Sequence, residues 1–162
     1  MVAFKTILVA TDLSRYSDEA LEYAVEMARV QKGRILLVHV FEPPFLGQAG
    51  IDFSMGPEVH QWFQGLRKEV EGKLGEQAKD LRKKGLEIEP FVREGIPYSE
   101  ILKAAEEADA DLIILGTHGR TGLGHMLLGS VAERVVRRAL CPVLTVRPKE
   151  IPAEKETETV PS

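Results

Sequence analysis

The stretch "DLIILGTHGRTGLGHMLLGSVAERVVRRALCPVLTV", Asp111 to Val146, decides how this chain folds. It opens on the apolar run "DLIIL" (111–115) and closes on "PVLTV" (142–146). A short unbroken apolar run is the pattern of a strand covered on both faces, as in a parallel sheet. Between the two runs, "GSVAERVVRRAL" predicts a helix with Val131, Val135 and Leu140 facing inward. The glycines need a separate explanation. Gly116, Gly119, Gly122, Gly124 and Gly129 fall within fourteen residues. Glycine loses more backbone freedom on folding than any other residue, so such a cluster points to a job done by backbone.

The same alternation continues outward. "TILVA" (6–10), "RILLVHVF" (34–41) and "LEIEPFV" (86–92) are further strand candidates. The segment "SDEALEYAVEMARVQKG" carries Ala20, Leu21, Ala24, Val25 and Ala28 at helical spacing, with Gly33 as its expected stop. From Val59 to Leu81 an apolar stripe runs through Trp62, Phe63, Leu66, Val70, Leu74 and Ala78. Gly65, Gly72 and Gly75 interrupt that stripe, each costing about 1 kcal/mol in a helix, so a break is allowed for. "IPYSEILKAAEEAD" predicts a helix with Pro97 near its start and Ile101, Leu102, Ala105 and Ala108 inward. Strands alternating with helices make an α/β fold: a three-layer, doubly wound, five-stranded parallel sheet. Right-handed crossovers restrict the topology, and the doubly wound order 3-2-1-4-5 would set strands one and four side by side at the switch point, where ligands bind beyond the strand ends.

Composition bounds the function classes. The chain has 162 residues, and residues 1–148 are read as one domain. Residues 149–162 are acidic and proline-bearing and are expected to form a disordered tail. The loop 42–57 matches no regular pattern. A net charge of −4 argues against a nucleic-acid partner, because no basic field is present to displace counterions. No apolar stretch reaches the ~20 residues that span a bilayer, so no membrane partner is expected. The single cysteine, Cys141, predicts a cytoplasmic protein, and beside Pro142 it reads as buried and inert. "MVAFKTILVATD" lacks the layout of a signal peptide.

Two phosphate motifs fail on the glycine stretch. Gly119 to Gly124 has Walker A spacing, but His125 and Met126 stand where Lys and Ser/Thr are required. Gly122-x-Gly124 begins a dinucleotide fingerprint, but Leu127 occupies the third glycine position. The arrangement that fits is Gly116-x2-Gly119-x9-Gly129-Ser130. Its first pair follows a strand and its last pair opens a helix, whose N-terminal amides and dipole favour an anion. Ser130 can add its hydroxyl, and Arg120 is the cation within the loop.

With Asp12 at the end of the first strand, this string makes residues 4–147 resemble the universal stress protein family. The resemblance is carried by "ILVATDLSRYSDEALEYA", "LLVHV" and the 111–147 stretch with its "CPVL" ending. It implies an adenine-nucleotide alpha-hydrolase-like fold, ATP with Mg²⁺ or Mn²⁺ between the ends of strands one and four, and a homodimer. By the resemblance, Asp12 contacts sugar or base, Ala10 and Thr11 line the pocket, and Val40 touches adenine. Gly116, Gly119, Gly129, Ser130 and Val131 hold ribose and phosphates, and Leu115 and Arg120 complete the candidate set. The implied function is an ATP-binding stress-response or signalling module whose protein partner is unspecified. A slow or partner-dependent ATPase and a dimeric scaffold with a vestigial nucleotide site are the alternatives. The missing lysine argues against efficient phosphoryl transfer.

Each candidate also has a plainer reading. Asp12 and Ser130 are residue types that cap helices. His39 reads as a hydrogen-bonded strand histidine. His118 and His125 have two readings, a phosphate contact or, favoured, a solvent-facing loop residue, and Arg134, Arg137 and Arg138 read as a solvated helix face. The final strand, 142–147, lies at a sheet edge with no charge on Val143, Leu144 or Val146. Such an edge predicts antiparallel pairing with a second copy.

Overall fold

The computed structural model describes residues 1–42, 56–118 and 128–149. Among these residues five strands alternate with four helices: β1 (Thr6–Ala10), α1 (Arg15–Gln31), β2 (Arg34–Phe41), α2 (Pro57–Lys83), β3 (Glu87–Glu94), α3 (Pro97–Glu107), β4 (Leu112–Gly116), α4 (Ser130–Arg138) and β5 (Val143–Val146). All pairings are parallel and the order is β3-β2-β1-β4-β5. Pro90 has no amide donor, and it sits where that is tolerated, on the edge strand β3.

The sheet has apolar cover on both faces, as the unbroken strand runs require. Ile7, Val9, Ile35, Leu37, Leu112, Ile114 and Val146 pack under α1 and α2. Leu8, Val38, Ile113 and Leu115 pack under α3 and α4. Period-two alternation divides each strand between the two layers. The crossovers leaving β1 and β4 therefore lie on opposite faces, and the sheet parts beyond Ala10↔Leu115, the last β1–β4 pair.

Three local expectations change. The left-handed residue ending α1 is Lys32, with φ of 52°, rather than Gly33. Gly33 is fixed by packing, since a Cβ there would meet the Phe4 carbonyl at 2.6 Å. Helix α2 runs unbroken for 27 residues. Its glycines face open space, so they cost helix propensity without being needed for close packing. At about 40 Å it outruns strand β2, about 26 Å long, and only Leu74 and Ala78 are fully buried while Trp62 is exposed. Leu140 is not inward: α4 ends at Arg138, Ala139 is extended, and Leu140 is 90% exposed. The backbone must already be extended for Cys141, which precedes Pro142. Cys141 is half-buried, and burial pushes its thiol above the usual range. The loop 43–55 and the tail 150–162 lie outside the described residues.

Candidate nucleotide site

Beyond the β1–β4 pairing, four consecutive residues, Thr11 to Ser14, carry the chain from β1 into α1. The Thr11 amide donates to the Val38 carbonyl at 2.8 Å, extending the strand by one bond. Leu13 then takes a φ of 64°, which is costly for a side chain of its kind. Side chains hold the turn in that conformation. The Leu13 amide donates to Thr11 Oγ1 at 3.0 Å, and Thr11 Oγ1 pairs with Ser17 Oγ at 2.8 Å. Asp12 Oδ1 accepts the Ser14 amide at 2.9 Å and also the Ser14 hydroxyl. Asp12 therefore closes a turn ahead of the helix, while the cap position belongs to Ser14. His39, buried on β2, pairs through Nδ1 with the Thr11 carbonyl at 2.8 Å, which is the strand-histidine role expected of it.

The facing wall comes from β4 and α4. Thr117 donates its amide to the Val146 carbonyl at 2.9 Å and accepts the Gly129 amide at 2.6 Å. That second bond docks the start of α4 against the end of β4. It leaves no room for a Cβ on Gly129, which would meet the Thr117 carbonyl at 2.8 Å. Gly116 is different, because a Cβ there would make only ordinary contacts, the nearest 3.4 Å from the His118 carbonyl. Gly129 is thus required by the protein's own packing, whereas Gly116 is not. Gly129 is also the N-cap of α4, so Ser130 is the first helical residue. The amides of Ser130, Val131 and Ala132 belong to a first helical turn, where no intrahelical acceptor exists.

Between these walls is a cleft of about 380 Å³. Ala10, Thr11, Asp12, Val40, Leu115, Gly116, Gly129, Ser130 and Val131 all line it, so the structure gathers nine of the candidate residues in one place. Gly119 and Arg120 lie outside the described residues, as does His125. The sequence alone did not single out Ser17, Glu42, Pro97, Ile101, Thr117 and Ala132, which also line the cleft. Pro97 and Ile101 arrive on α3, which Arg93 of β3 clamps by ion pairs to Glu100 at 3.0 Å and Glu107 at 2.6 Å.

His118 departs from its expected place. It is only 7% exposed rather than solvent-facing. Its Nδ1 pairs with Thr117 Oγ1 at 2.8 Å, and its Nε2 is buried with no hydrogen-bond partner. Arg134 and Arg138 are exposed, as expected, and stack over the Tyr98 ring at 5.0 and 5.1 Å.

The model of the universal stress protein family matches residues 3–147. The chain belongs to the universal stress protein family. The universal stress protein MJ0531 of Methanocaldococcus jannaschii is 37% identical over 146 residues, 89% of this chain and 82% of that one. The universal stress protein MJ0577 of the same organism is 32% identical over 158 residues, 91% of this chain and 98% of that one. A solved structure of MJ0577 has a TM-score of 0.72 at 29% identity and covers 92% of this chain and 99% of its own. A universal stress protein solved in complex with cAMP has a TM-score of 0.60 at 25% identity, covering 90% of this chain and 98% of its own. The five-stranded parallel sheet of order 3-2-1-4-5 is the fold shared with these universal stress proteins.

Proposed function

We propose that this universal stress protein binds ATP in the cleft between β1 and β4 and acts as a nucleotide-dependent stress-response or signalling module. The observation that carries the reading is the cleft's two-ended chemistry. Asp12 and Glu42 bring carboxylates to it from the β1 and β2 ends. These are acceptors for ribose hydroxyls or an adenine amino group. The first turn of α4 supplies backbone donors and a positive dipole end for phosphates. Val40, Leu115 and Ile101 give an apolar surface for a base. The volume is within the usual range for small-molecule pockets. The relative solved with cAMP supports an adenine nucleotide as the ligand class. Mg²⁺ or Mn²⁺ would come with the triphosphate, held chiefly by its oxygens. Among the described residues no cluster of three metal-binding side chains occurs. The charges on the described lining are carboxylates, and phosphoryl transfer draws on a cationic clamp, so binding ranks ahead of hydrolysis.

Mg²⁺ with ATP at 100 times its dissociation constant is expected to stabilise the protein by about 2.7 kcal/mol. For a chain of this length that raises the melting temperature by roughly 5–10 °C. Thermal scans with ATP, ADP, AMP and GTP check this. No shift with any adenine nucleotide would favour the vestigial scaffold.

The same reading includes a homodimer through residues 142–147 in the cytoplasm. On β5, the Pro142 and Val146 carbonyls accept bonds from β4. Alternation then turns the backbone groups of Val143 and Thr145 to the free edge. Leu140, 90% exposed, and Val136, 47% exposed, add apolar surface on the segment that leads into β5. Leu144 packs on the core, so charging it would disturb the fold as well as the edge. Thr145→Pro removes an outward donor and no internal bond. It is expected to shift the protein to monomer in light scattering while the melting temperature of dilute protein changes little. A dimer that persists in Thr145→Pro would place assembly on another surface.

A further inference from the structure

Three unfavourable features meet at the turn between β1 and α1. Leu13 holds a left-handed φ of 64°, a conformation that disfavours any residue with a Cβ. Ser14 is the N-cap of α1, yet its hydroxyl makes no cap bond to the helix and donates to Asp12 Oδ1 instead. Thr11 and Ser17 are polar but only 7% and 5% exposed. A strained backbone persists only where its surroundings over-determine it, and such strain gathers at functional sites.

The hydroxyl protons can be placed by counting. A carbonyl only accepts, so the Ser17 hydroxyl gives its one proton to the Ser14 carbonyl, 2.8 Å away. Thr11 is then the donor in the 2.8 Å contact between the two hydroxyls. Its oxygen in turn accepts the Leu13 amide at 3.0 Å. Donation runs one way, from the Leu13 amide through Thr11 and Ser17 to the Ser14 carbonyl, and every proton in the chain is met. Asp12 sits inside this loop of bonds, with Oδ1 held by the amide and hydroxyl of Ser14. Ser17 ties the loop to the first turn of α1.

We infer that Ser17 is a positioning residue for the nucleotide. Through Thr11 and Ser14 it fixes the turn that presents Asp12 to the cleft before any ligand arrives. The inference rests on the nucleotide reading above, with Asp12 as an acceptor for sugar or base.

A double-mutant cycle separates positioning from direct contact and from general stability. Ser17→Ala is expected to weaken ATP with Mg²⁺ about tenfold, the scale of one lost neutral hydrogen bond. Asp12→Ala is expected to weaken it about 10- to 100-fold, the scale for a charged partner. The double variant should match Asp12→Ala alone to within about twofold, because Ser17 acts only through Asp12. Thr11→Ser, which keeps the hydroxyl, should keep wild-type affinity. Calorimetric titration reads all five proteins. A measurement on the unaltered protein stands beside the variants: without ligand, the Leu13 amide should already exchange slowly with deuterium, because its acceptor belongs to the folded turn. Additive losses in the double variant would overturn the inference and leave the nucleotide reading standing. So would unchanged affinity in Asp12→Ala or in Ser17→Ala, or a Leu13 amide that is protected only once nucleotide is bound. Wild-type protein that binds no adenine nucleotide would overturn both.

Discussion

Ser130→Glu is expected to lower ATP affinity by at least about 100-fold while leaving the unliganded protein no less stable. Ser130 is exposed and is the first residue of α4, one past the Gly129 cap. An acidic side chain in a first helical turn gains roughly 0.3–1 kcal/mol from the dipole, so the empty fold keeps or gains stability. The same carboxylate competes with phosphate for the first-turn amides and repels it. Two unit charges 4 Å apart repel by about 4 kcal/mol at an effective dielectric constant of 20, near a thousandfold, and salt screening brings the expected floor to a hundredfold. Calorimetric titration and thermal melting read the two effects separately. Stability retained with affinity unchanged would put the phosphates elsewhere. Gly129 looks from the sequence like the cleaner position to charge. It is not, because any Cβ there collides with the Thr117 carbonyl, and a binding defect would be confounded with a displaced helix.

Leu8→Ala is expected to destabilise the protein by about 3 kcal/mol, within the usual 2–5 for such deletions, and to lower its melting temperature by roughly 10 °C. Leu8 lies on the central strand with no exposed surface. It packs in the cluster that contains Val38, Ile101, Leu115 and Ala132, four residues that also line the cleft. Neighbouring strands on both sides hold β1 in place, so the vacated volume has little means of collapsing. Val136→Ala, on a side chain 47% exposed, should change stability by no more than about 0.5 kcal/mol. Urea unfolding of the two variants makes the comparison. A Leu8→Ala loss under 1 kcal/mol would mean that the layer under α3 and α4 repacks freely.

Strand positions were legible because burial on both faces writes itself directly into composition. "TILVA" and "RILLVHVF" match β1 and β2 residue for residue. Alternation and handedness restricted the order, the family resemblance implied 3-2-1-4-5, and the cleft's place followed from that order. The glycine string and Asp12 pointed to the ends of β1 and β4, where Asp12, Gly116 and Gly129 line one cleft. What the sequence hid was set by contacts between distant residues. His118 reads as a loop histidine, yet it is 7% exposed, next to the Thr117 carbonyl on which the Gly129 amide docks. Gly129 reads as room for a ligand, yet the Thr117 carbonyl already occupies that approach. Thr11 and Ser17 read as turn and helix residues. Their shared hydrogen bond, buried beneath Asp12, is a feature of the folded turn alone. Leu140 has helical spacing, but spacing cannot register that the helix stops two residues earlier.

Titrating ATP with Mg²⁺ into isotope-labelled protein, and following the backbone amides by NMR, tests nucleotide binding at the cleft most directly. Saturable shifts are expected at Ala10–Asp12, Val40, Gly116 and Gly129–Val131, the β1, β2, β4 and α4 residues that line it. Amides on the solvent face of α2 should stay still. Saturable shifts centred elsewhere, or none at millimolar ATP, would contradict nucleotide binding between β1 and β4.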